Sequence, residues 1–301
     1  MVDNRVFLNI ERYIQLKKIL SDVTAPYAVI KGEPLSLLCY NEKSVRDSQD
    51  IDILIDRQHI SYFEQLLQEN DFIRLINQNK FVNRESRILC ISQSHQIPPY
   101  VKETSNQQIE IDLNFDIFWG EYTGKRIDIA QFLADTIVQD IYGCRVKALS
   151  PLKAMVQLIL HHYKDMNSLF LLATRKSIKY SMFKDVYCLW KNNQEAISLE
   201  KLYAISSEYE IIPYVFYVLY FTNWIFQNSD LNRYVDAFRT SEGEALLDYY
   251  GLSEKERKTW RYDFKTRLES DNLYNLIKND LTEKDQEKIT INKRVFLGVT
   301  K

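Results

Sequence analysis

The sequence predicts an α+β fold, in which a mixed sheet with flanking helices is followed by an all-helical C-terminal region. Before residue 150, segments of alternating apolar and polar residues lie between helical segments, as in a domain with half-buried strands. After residue 150 only helical periodicity remains. The boundary falls at Ser150-Pro151, because Ser favours a helix N-cap and Pro the first helical turn. We therefore expect one domain over residues 1–150 and a helical domain over residues 151–301.

Each element follows from a local pattern. Helices of the first domain are predicted by apolar residues at helical spacing, over residues 8–21 and 57–69, with another starting at Pro34. Strands are predicted at residues 27–31, 51–55, 87–92 and 108–115. A hairpin is predicted at residues 141–149, with Gly143 near its turn. Helices of the second domain are predicted over residues 151–166, 178–192, 199–209, 213–227 and 254–278.

Composition describes an ordinary globular chain. Its 301 residues are 46% hydrophobic and 27% charged, with a net charge of −2, which gives no global attraction to a nucleic-acid backbone. The cysteines are far apart with no CxxC spacing, which indicates reduced thiols. The N-terminal residues contain no cleavable apolar stretch, and the apolar run 214–226 is shorter than the roughly 20 residues of a membrane span. We expect a cytoplasmic protein without a membrane partner.

Asp50 and Asp52 form an acidic pair on a predicted strand. Residues two apart on a strand share a face, and close carboxylates offer the oxygen ligands that Mg²⁺ prefers. The strand over residues 108–115 supplies a third carboxylate, for which Asp112 is the first choice and Glu110 the reserve. The alternative for the pair alone is a solvated strand edge without a metal ion.

Other charged and small residues surround this pair in the sequence. Lys31 and Gly32 lie at a strand-to-helix turn, and Arg46 precedes the acidic pair. The segment VIKGEPLSLLCYNEKSVRDSQDIDILI resembles the opening motif of the uncharacterised bacterial nucleotidyltransferase-like family of the DNA polymerase beta superfamily. The likeness continues through IEIDLNF, LSPLKAMVQLILHHYKD and FKDVYCLW, and so spans residues 25 to 192.

The resemblance implies a nucleotidyltransferase-type mixed sheet in a catalytic domain over residues 1–150. Asp50, Asp52 and Asp112 match the metal ligands and catalytic residues of that pattern. The implied reaction transfers a nucleoside monophosphate from a nucleoside triphosphate to a hydroxyl group and releases pyrophosphate, with Mg²⁺ or Mn²⁺ as cofactor and ATP as the favoured donor. The acceptor is a small molecule, a peptide or a protein. A long nucleic acid is disfavoured by the charge, while tRNA stays among the alternatives.

The candidate nucleotide-binding residues are Lys31, Gly32, Ser36 and Arg46. A glycine before a helix N-terminus lets backbone N–H groups approach phosphate oxygens, and the Lys and Arg side chains add positive charge. Ser36 offers a hydroxyl donor. The alternatives are that Ser36 is a neutral helix residue, and that Lys31 and Arg46 are surface charges or partners of the region around Asp47.

Two residues depart from the related sequences. Glu33 stands directly after the turn glycine, where Gly or Ser is usual, and a carboxylate there opposes phosphate binding. We expect Glu33 to point away or to contact Lys31 or Arg46. Asn114 replaces a His two residues after Asp112 and cannot carry a proton near neutral pH. These departures leave a second hypothesis, a catalytically weak binding or regulatory protein on the same fold.

A histidine pair, His161 and His162, lies in the first predicted helix of the second domain. Helix geometry makes His162 the buried one, whereas the family resemblance matches His161 to a recurring histidine. A hydrogen-bonded core histidine is the favoured role for either. A phosphohydrolase metal site is disfavoured, because the chain has four histidines and no HExxH motif.

Overall fold

The computed structural model describes residues 4–46, 48–76, 80–81, 84–119, 126–174 and 177–297. The chain divides into two compact units, Met1–Ala154 and Met155–Lys301. The helices of the first unit are α1 (Asn4–Leu20), α2 (Gly32–Tyr40), α3 (Ile60–Glu69), α4 (Arg84–Gln93) and α5 (Ile129–Phe132). Its strands are β1 (Tyr27–Ile30), β2 (Asp50–Ile55), β3 (Ile73–Ile76), β4 (Lys80–Phe81), β5 (Tyr100–Glu103), β6 (Gln108–Asn114), β7 (Ile137–Ile141) and β8 (Cys144–Ala148).

The strands form one mixed sheet. Within the described residues its eight strands run in the order β4-β3-β5-β6-β2-β1-β8-β7. Strand β2 pairs in parallel with β6 and antiparallel with β1, and β1 pairs in parallel with β8. The two strands that carry the predicted carboxylates are therefore neighbours near the middle of the sheet.

One face of the central strands forms the hydrophobic core. Alternate residues of β2 and β6 are buried there with Phe115, which follows β6, and with residues of α1 and α3: Ile51, Ile53, Ile55, Ile109, Ile111, Leu113, Tyr13, Leu16, Ile19, Ile60, Phe63 and Leu67. Each such burial stabilises the fold by roughly 1.5–3 kcal/mol. Because the strand period is two, the residues between them face the other way.

The hairpin of β7 and β8 confirms the predicted turn at Gly143. Tyr142 and Gly143 both have positive φ, at 53° and 77°, which is the backbone of a two-residue type I′ turn. The Asp140 carboxylate accepts a hydrogen bond from the Gly143 N–H at 2.9 Å. The turn brings the Tyr142 ring to 6.1 Å from the ring of Tyr13 in α1, measured between centroids.

The strand predicted at residues 87–92 is wrong, because this segment lies in α4. Cys90 is buried and Ile91 packs partly against the core, while Ile88 is 53% exposed. A strand would place Ile88 and Cys90 on the same face, whereas a helix separates them. A short apolar run does not distinguish the two structures by itself.

Helices dominate the chain from Pro151 onward. They are α6 (Pro151–Asn167), α7 (Leu169–Thr174), α8 (Tyr180–Asn192), α9 (Leu199–Glu208), α10 (Ile212–Phe226), α11 (Ser229–Phe238), α12 (Ser241–Leu247), α13 (Phe264–Glu269), α14 (Leu273–Ile277) and α15 (Glu283–Leu297). In the described part of the chain, no helix is both long and apolar enough to span a membrane. His162 in α6 is buried, as predicted, and the Nε2 atom of the half-buried His161 lies 3.3 Å from Asp165 Oδ2.

The single helix predicted over residues 254–278 is wrong. The segment contains a 3₁₀ turn, a short strand β10 (Lys258–Thr259) paired with β9 (Tyr249–Tyr250), and the separate helices α13 and α14. Asp263 accepts a hydrogen bond from the Thr266 N–H, and Asn272 accepts one from the Tyr274 N–H. These side chains are N-caps, which start a new helix at each position.

We expect Gly143→Ala to lower the free energy of unfolding by about 1 kcal/mol, because an L-residue with a side chain is strained at positive φ. Apart from its two chain neighbours, no described residue has a heavy atom within 4 Å of the added methyl group, so backbone strain alone is tested. Gly143→Asn is the matched control, since Asn adopts this conformation more readily. Urea unfolding midpoints measure the difference. Equal midpoints for Gly143→Ala and the wild type contradict the prediction.

Candidate active site

The register of β2 with β6 brings the acidic residues together. Asp50 lies opposite Glu110 and Asp52 opposite Asp112, on strands whose spacing is roughly 4.8 Å. Asp52 and Asp112 are 4% and 9% exposed, while Asp50 and Glu110 are half-buried. The residues predicted as metal ligands thus share the face of the sheet opposite the core, with Glu110 beside them.

Lys31 contacts this face from the end of β1. Strand β1 pairs Ile30 with Asp52, so the next residue starts beside the carboxylates. Lys31 has φ 61° and ψ −158°, and its Nζ atom lies 2.9 Å from Asp52 Oδ1. Gly32, with φ +49°, begins α2. The predicted Lys-Gly turn is therefore adjacent to the acidic pair.

Two amide side chains hold the buried carboxylates. Asn114 donates from Nδ2 to Asp52 Oδ1 at 3.1 Å, and Gln96 donates from Nε2 to Asp112 Oδ2 at 3.2 Å. Gln96 is placed by a bridge to Asn114 and by the hydrogen bond from the Ile97 N–H to the Leu113 carbonyl. Within the described residues, Asp112 Oδ1 is buried without a hydrogen-bond partner.

The carboxylates repel one another electrostatically. Burial raises the pKa of Asp112 well above its usual value, and the charges of Asp52, Asp50 and Glu110 add to the shift. Burial also raises the pKa of Glu110, again with Asp50 and Asp52 contributing. For Lys31, burial lowers the pKa, but the neighbouring carboxylates outweigh burial, and the net pKa is raised. A like-charge cluster of this kind favours a bound cation.

The donor set fits a hard divalent cation. Asp50, Asp52 and Asp112 offer oxygen atoms only, which suit Mg²⁺ or Mn²⁺. The partnerless oxygen of Asp112 is a buried acceptor, and leaving such a group unsatisfied costs about 1–3 kcal/mol. A cation on this oxygen removes that cost and the repulsion together.

Glu33 faces away from the acidic residues. The residue is 5% exposed, and its carboxylate accepts hydrogen bonds from Asn9 Nδ2 at 2.6 Å and from the Ser44 N–H at 2.7 Å. The Ser44 hydroxyl also lies 2.6 Å from the Tyr142 hydroxyl. We expected Glu33 either to point away or to contact Lys31 or Arg46, and the structure shows that it points away. Its carboxylate instead connects α1 to the loop before β2.

The remaining predicted nucleotide-binding residues are Ser36 in α2 and Arg46 in the loop before β2. Ser36 is fully buried, and its hydroxyl donates to the Glu42 carbonyl at 2.8 Å, so it has a structural role in this arrangement. Arg46 is half-buried in the loop before β2. Asp47, considered as its partner, lies outside the described residues.

Several residues around the site were missed by the sequence analysis. Gln96 carries no motif, and Asn114 was considered only as a replacement for His. Arg12 in α1 donates to the Ser48 carbonyl at 2.6 Å, and the Ser48 hydroxyl lies 3.2 Å from Asp50 Oδ1. A hydroxyl two residues before the acidic pair was the available signal for Ser48, whereas nothing local marks Arg12.

Comparisons with known proteins agree with the resemblance at the level of a family. The model of a family described as uncharacterised nucleotidyltransferase matches residues 1–227. No curated protein matches the chain.

Several solved structures show a distant likeness. One is the solution structure of the antibiotic-resistance factor ANT(2'')-Ia, which is 11% identical in sequence. The alignment covers 67% of this chain and 95% of that protein, with a TM-score of 0.38. An antigenic nucleotidyltransferase-like protein from Paracoccidioides brasiliensis is 17% identical, with 71% and 92% covered and a TM-score of 0.37. ANT(2'')-Ia in complex with adenylyl-2''-tobramycin is 10% identical, with 66% and 97% covered and a TM-score of 0.36.

We expect Asp112→Asn to stabilise the metal-free protein, and more so at higher pH. The pKa of Asp112 is higher in the folded chain than in the unfolded one, so stability falls as the pH rises from about 4 towards the raised pKa. Asn does not ionise and avoids this loss. In EDTA at pH 8, the variant should unfold at least about 2 °C above the wild type, the shift expected for roughly 1 kcal/mol, with a smaller difference at pH 5.

Glu69→Gln, which removes an exposed carboxylate from α3, is the control and should not change the unfolding temperature. An unfolding temperature of Asp112→Asn equal to that of the wild type at pH 8 contradicts the expected repulsion.

Proposed function

Because this chain belongs to the family of uncharacterised nucleotidyltransferases, we propose that it moves a nucleoside monophosphate from a nucleoside triphosphate to a hydroxyl group and releases pyrophosphate. The observation that carries the proposal is the convergence of Asp50, Asp52 and Asp112 on one face of the sheet, with Lys31 in contact. The donor we favour is ATP. The acceptor is a small molecule, a peptide or a protein, tRNA stays an alternative, and the compartment we propose is the cytoplasm.

Asp50, Asp52 and Asp112 would hold Mg²⁺ or Mn²⁺. When bound, the cation neutralises charge on the triphosphate and on the departing pyrophosphate. The residues fit this role because Asp52 is oriented by Asn114 and Asp112 by Gln96, each through one oxygen. Oriented ligands lose less freedom on binding, which favours affinity.

The nucleotide phosphates would lie at the turn between β1 and α2. Gly32 has no side chain to keep phosphate oxygens away from the backbone, and the N-terminus of α2 favours negative charge. Lys31 supplies the positive charge next to this turn. Arg46 remains a candidate for a further phosphate contact from the loop before β2.

The reaction requires a base for the acceptor hydroxyl. We assign this role to the Asp112 carboxylate, which lies beside Asp52 on the neighbouring strand. The proton of the hydroxyl passes to this carboxylate while the hydroxyl oxygen forms a bond to the α-phosphorus. The bond from that phosphorus to the bridging oxygen breaks, and pyrophosphate leaves with the electron pair.

The second hypothesis was a catalytically weak binding or regulatory protein, based on Glu33 and Asn114. Glu33 is bonded to Asn9 and Ser44 rather than placed at the turn, and Asn114 donates to Asp52. Neither residue therefore opposes phosphate or metal binding in this arrangement, which supports the enzyme.

Thermal-shift titration with ATP, GTP, CTP and UTP, each with and without Mg²⁺, tests nucleotide binding. We expect one nucleotide with Mg²⁺ to stabilise the wild type, by about 2.7 kcal/mol at 100 times its dissociation constant. Asp50→Asn should lose this stabilisation, and Glu69→Gln should keep it. If no nucleotide raises the unfolding temperature of the wild type in the presence of Mg²⁺, the result contradicts the transferase and favours a binding or regulatory protein without nucleotide turnover.

We expect Asp52→Asn to reduce Mg²⁺-dependent turnover of the preferred nucleotide more than about 100-fold. Loss of an outer partner of a metal ligand costs roughly 10–100-fold, and loss of a ligand costs more. Pyrophosphate release from the nucleotide measures the rate. The metal-free unfolding temperature should stay the same or rise, which separates a catalytic loss from misfolding. Full activity in Asp52→Asn contradicts the assignment.

A further inference from the structure

Ser48 contacts both halves of the candidate active site. Its hydroxyl lies 3.0 Å from the Asp50 carbonyl oxygen and 3.2 Å from Asp50 Oδ1. The same Oγ atom would lie 3.4 Å from a Cβ atom built on Gly32. Ser48 is therefore packed between the turn proposed to bind phosphate and the carboxylate at the start of β2.

Arg12 holds Ser48 in this position from α1. Its Nη1 atom donates to the Ser48 carbonyl at 2.6 Å and to Asn9 Oδ1 at 2.9 Å. Asn9 in turn donates to the buried Glu33 carboxylate. The backbone of Ser48 is thus fixed by a helix that lies 36 residues earlier in the chain.

Asp50 has a particular need for such support. It is the first residue of β2, so the backbone before it is not held by strand pairing, and its side chain is half-buried. Asp52 and Asp112 have amide donors from Asn114 and Gln96. For Asp50, the Ser48 hydroxyl shares its one proton between the Asp50 carbonyl and Oδ1, which holds the carboxylate relative to the backbone at the start of β2.

We propose that Ser48 is a positioning residue, whose hydroxyl orients the Asp50 carboxylate for the cation, and that Arg12 keeps Ser48 in place through its carbonyl. This inference rests on the proposed function, because it concerns the same carboxylates. Partners of this kind restrict the orientation of a metal ligand, and their loss typically weakens metal binding by roughly 10–100-fold.

The test is a titration of the purified full chain with Mn²⁺, in which the electron paramagnetic resonance signal reports free Mn²⁺ without any turnover. We expect Ser48→Ala to bind Mn²⁺ about 10-fold more weakly than the wild type. Ser48→Thr keeps the hydroxyl and should restore most of the affinity. Ser61→Ala, at an exposed serine of α3, is the matched control and should bind like the wild type.

A second pair of variants tests Arg12. Arg12→Met removes the donor to the Ser48 carbonyl and should weaken Mn²⁺ binding in the same direction, whereas Arg12→Lys keeps a donor and should weaken it less. Lys18→Met removes an exposed positive charge from the same helix and should have no effect. This comparison separates a loss of positioning from a general loss of positive charge.

The outcomes distinguish the two levels of inference. Unchanged Mn²⁺ binding in Ser48→Ala, or equal weakening in Ser48→Ala and Ser48→Thr, overturns the role of the hydroxyl and leaves the proposed function intact. Unchanged binding in Arg12→Met overturns the role of Arg12. A wild type that binds no Mn²⁺ overturns the metal site and, with it, the positioning of its ligand.

Discussion

The parallel pairing of β2 with β6 places Asp52 beside Asp112 and so concentrates negative charge on one face of the sheet. The side chains around this face partly offset that charge. The same strands bury Ile53 and Leu113 in the core. A slip of one residue would turn the carboxylates inward and the apolar residues outward. Burial of the apolar face thus fixes the position of the acidic face.

Repulsion between the carboxylates is reduced without being removed. Lys31 contacts Asp52 Oδ1, and Asn114 donates to the same oxygen. Gln96 donates to Asp112 but leaves its Oδ1 atom without a partner among the described residues. The buried oxygens of Asp52 and Asp112 thus have hydrogen-bond partners except for Asp112 Oδ1. A buried acceptor of this kind, among like charges, favours a ligand that brings positive charge.

The loop before β2 connects this face to the N-terminal helix. Glu33, Asn9 and Ser44 form one set of hydrogen bonds, and Arg12 extends it to Ser48. Glu33 therefore has a structural reason to replace a small residue after the turn glycine. The departure from related sequences reflects how this chain supports the turn, and it does not place a carboxylate at the proposed phosphate position.

The sequence by itself determined which residues share a face. Alternation placed Asp50 with Asp52, and Glu110 with Asp112, because successive side chains of a strand point to opposite sides. It also predicted the Gly143 turn and the buried side of α6 at His162. Its errors lay where local signals are ambiguous: the apolar run at residues 87–92 suits either structure, and the caps at Asp263 and Asn272 divide a segment that looks continuous.

Only the tertiary structure decided which partners each functional side chain has. Ser36, a candidate phosphate contact, is enclosed and bonded to Glu42, because burial depends on what packs over a helix. The contact of Arg12 with Ser48 joins residues 36 positions apart, and the contact of Asn114 with Asp52 joins residues 62 positions apart. Such hydrogen bonds leave no periodic pattern in a sequence, since they depend on the register of the sheet and on the packing of α1, which join residues that are distant along the chain.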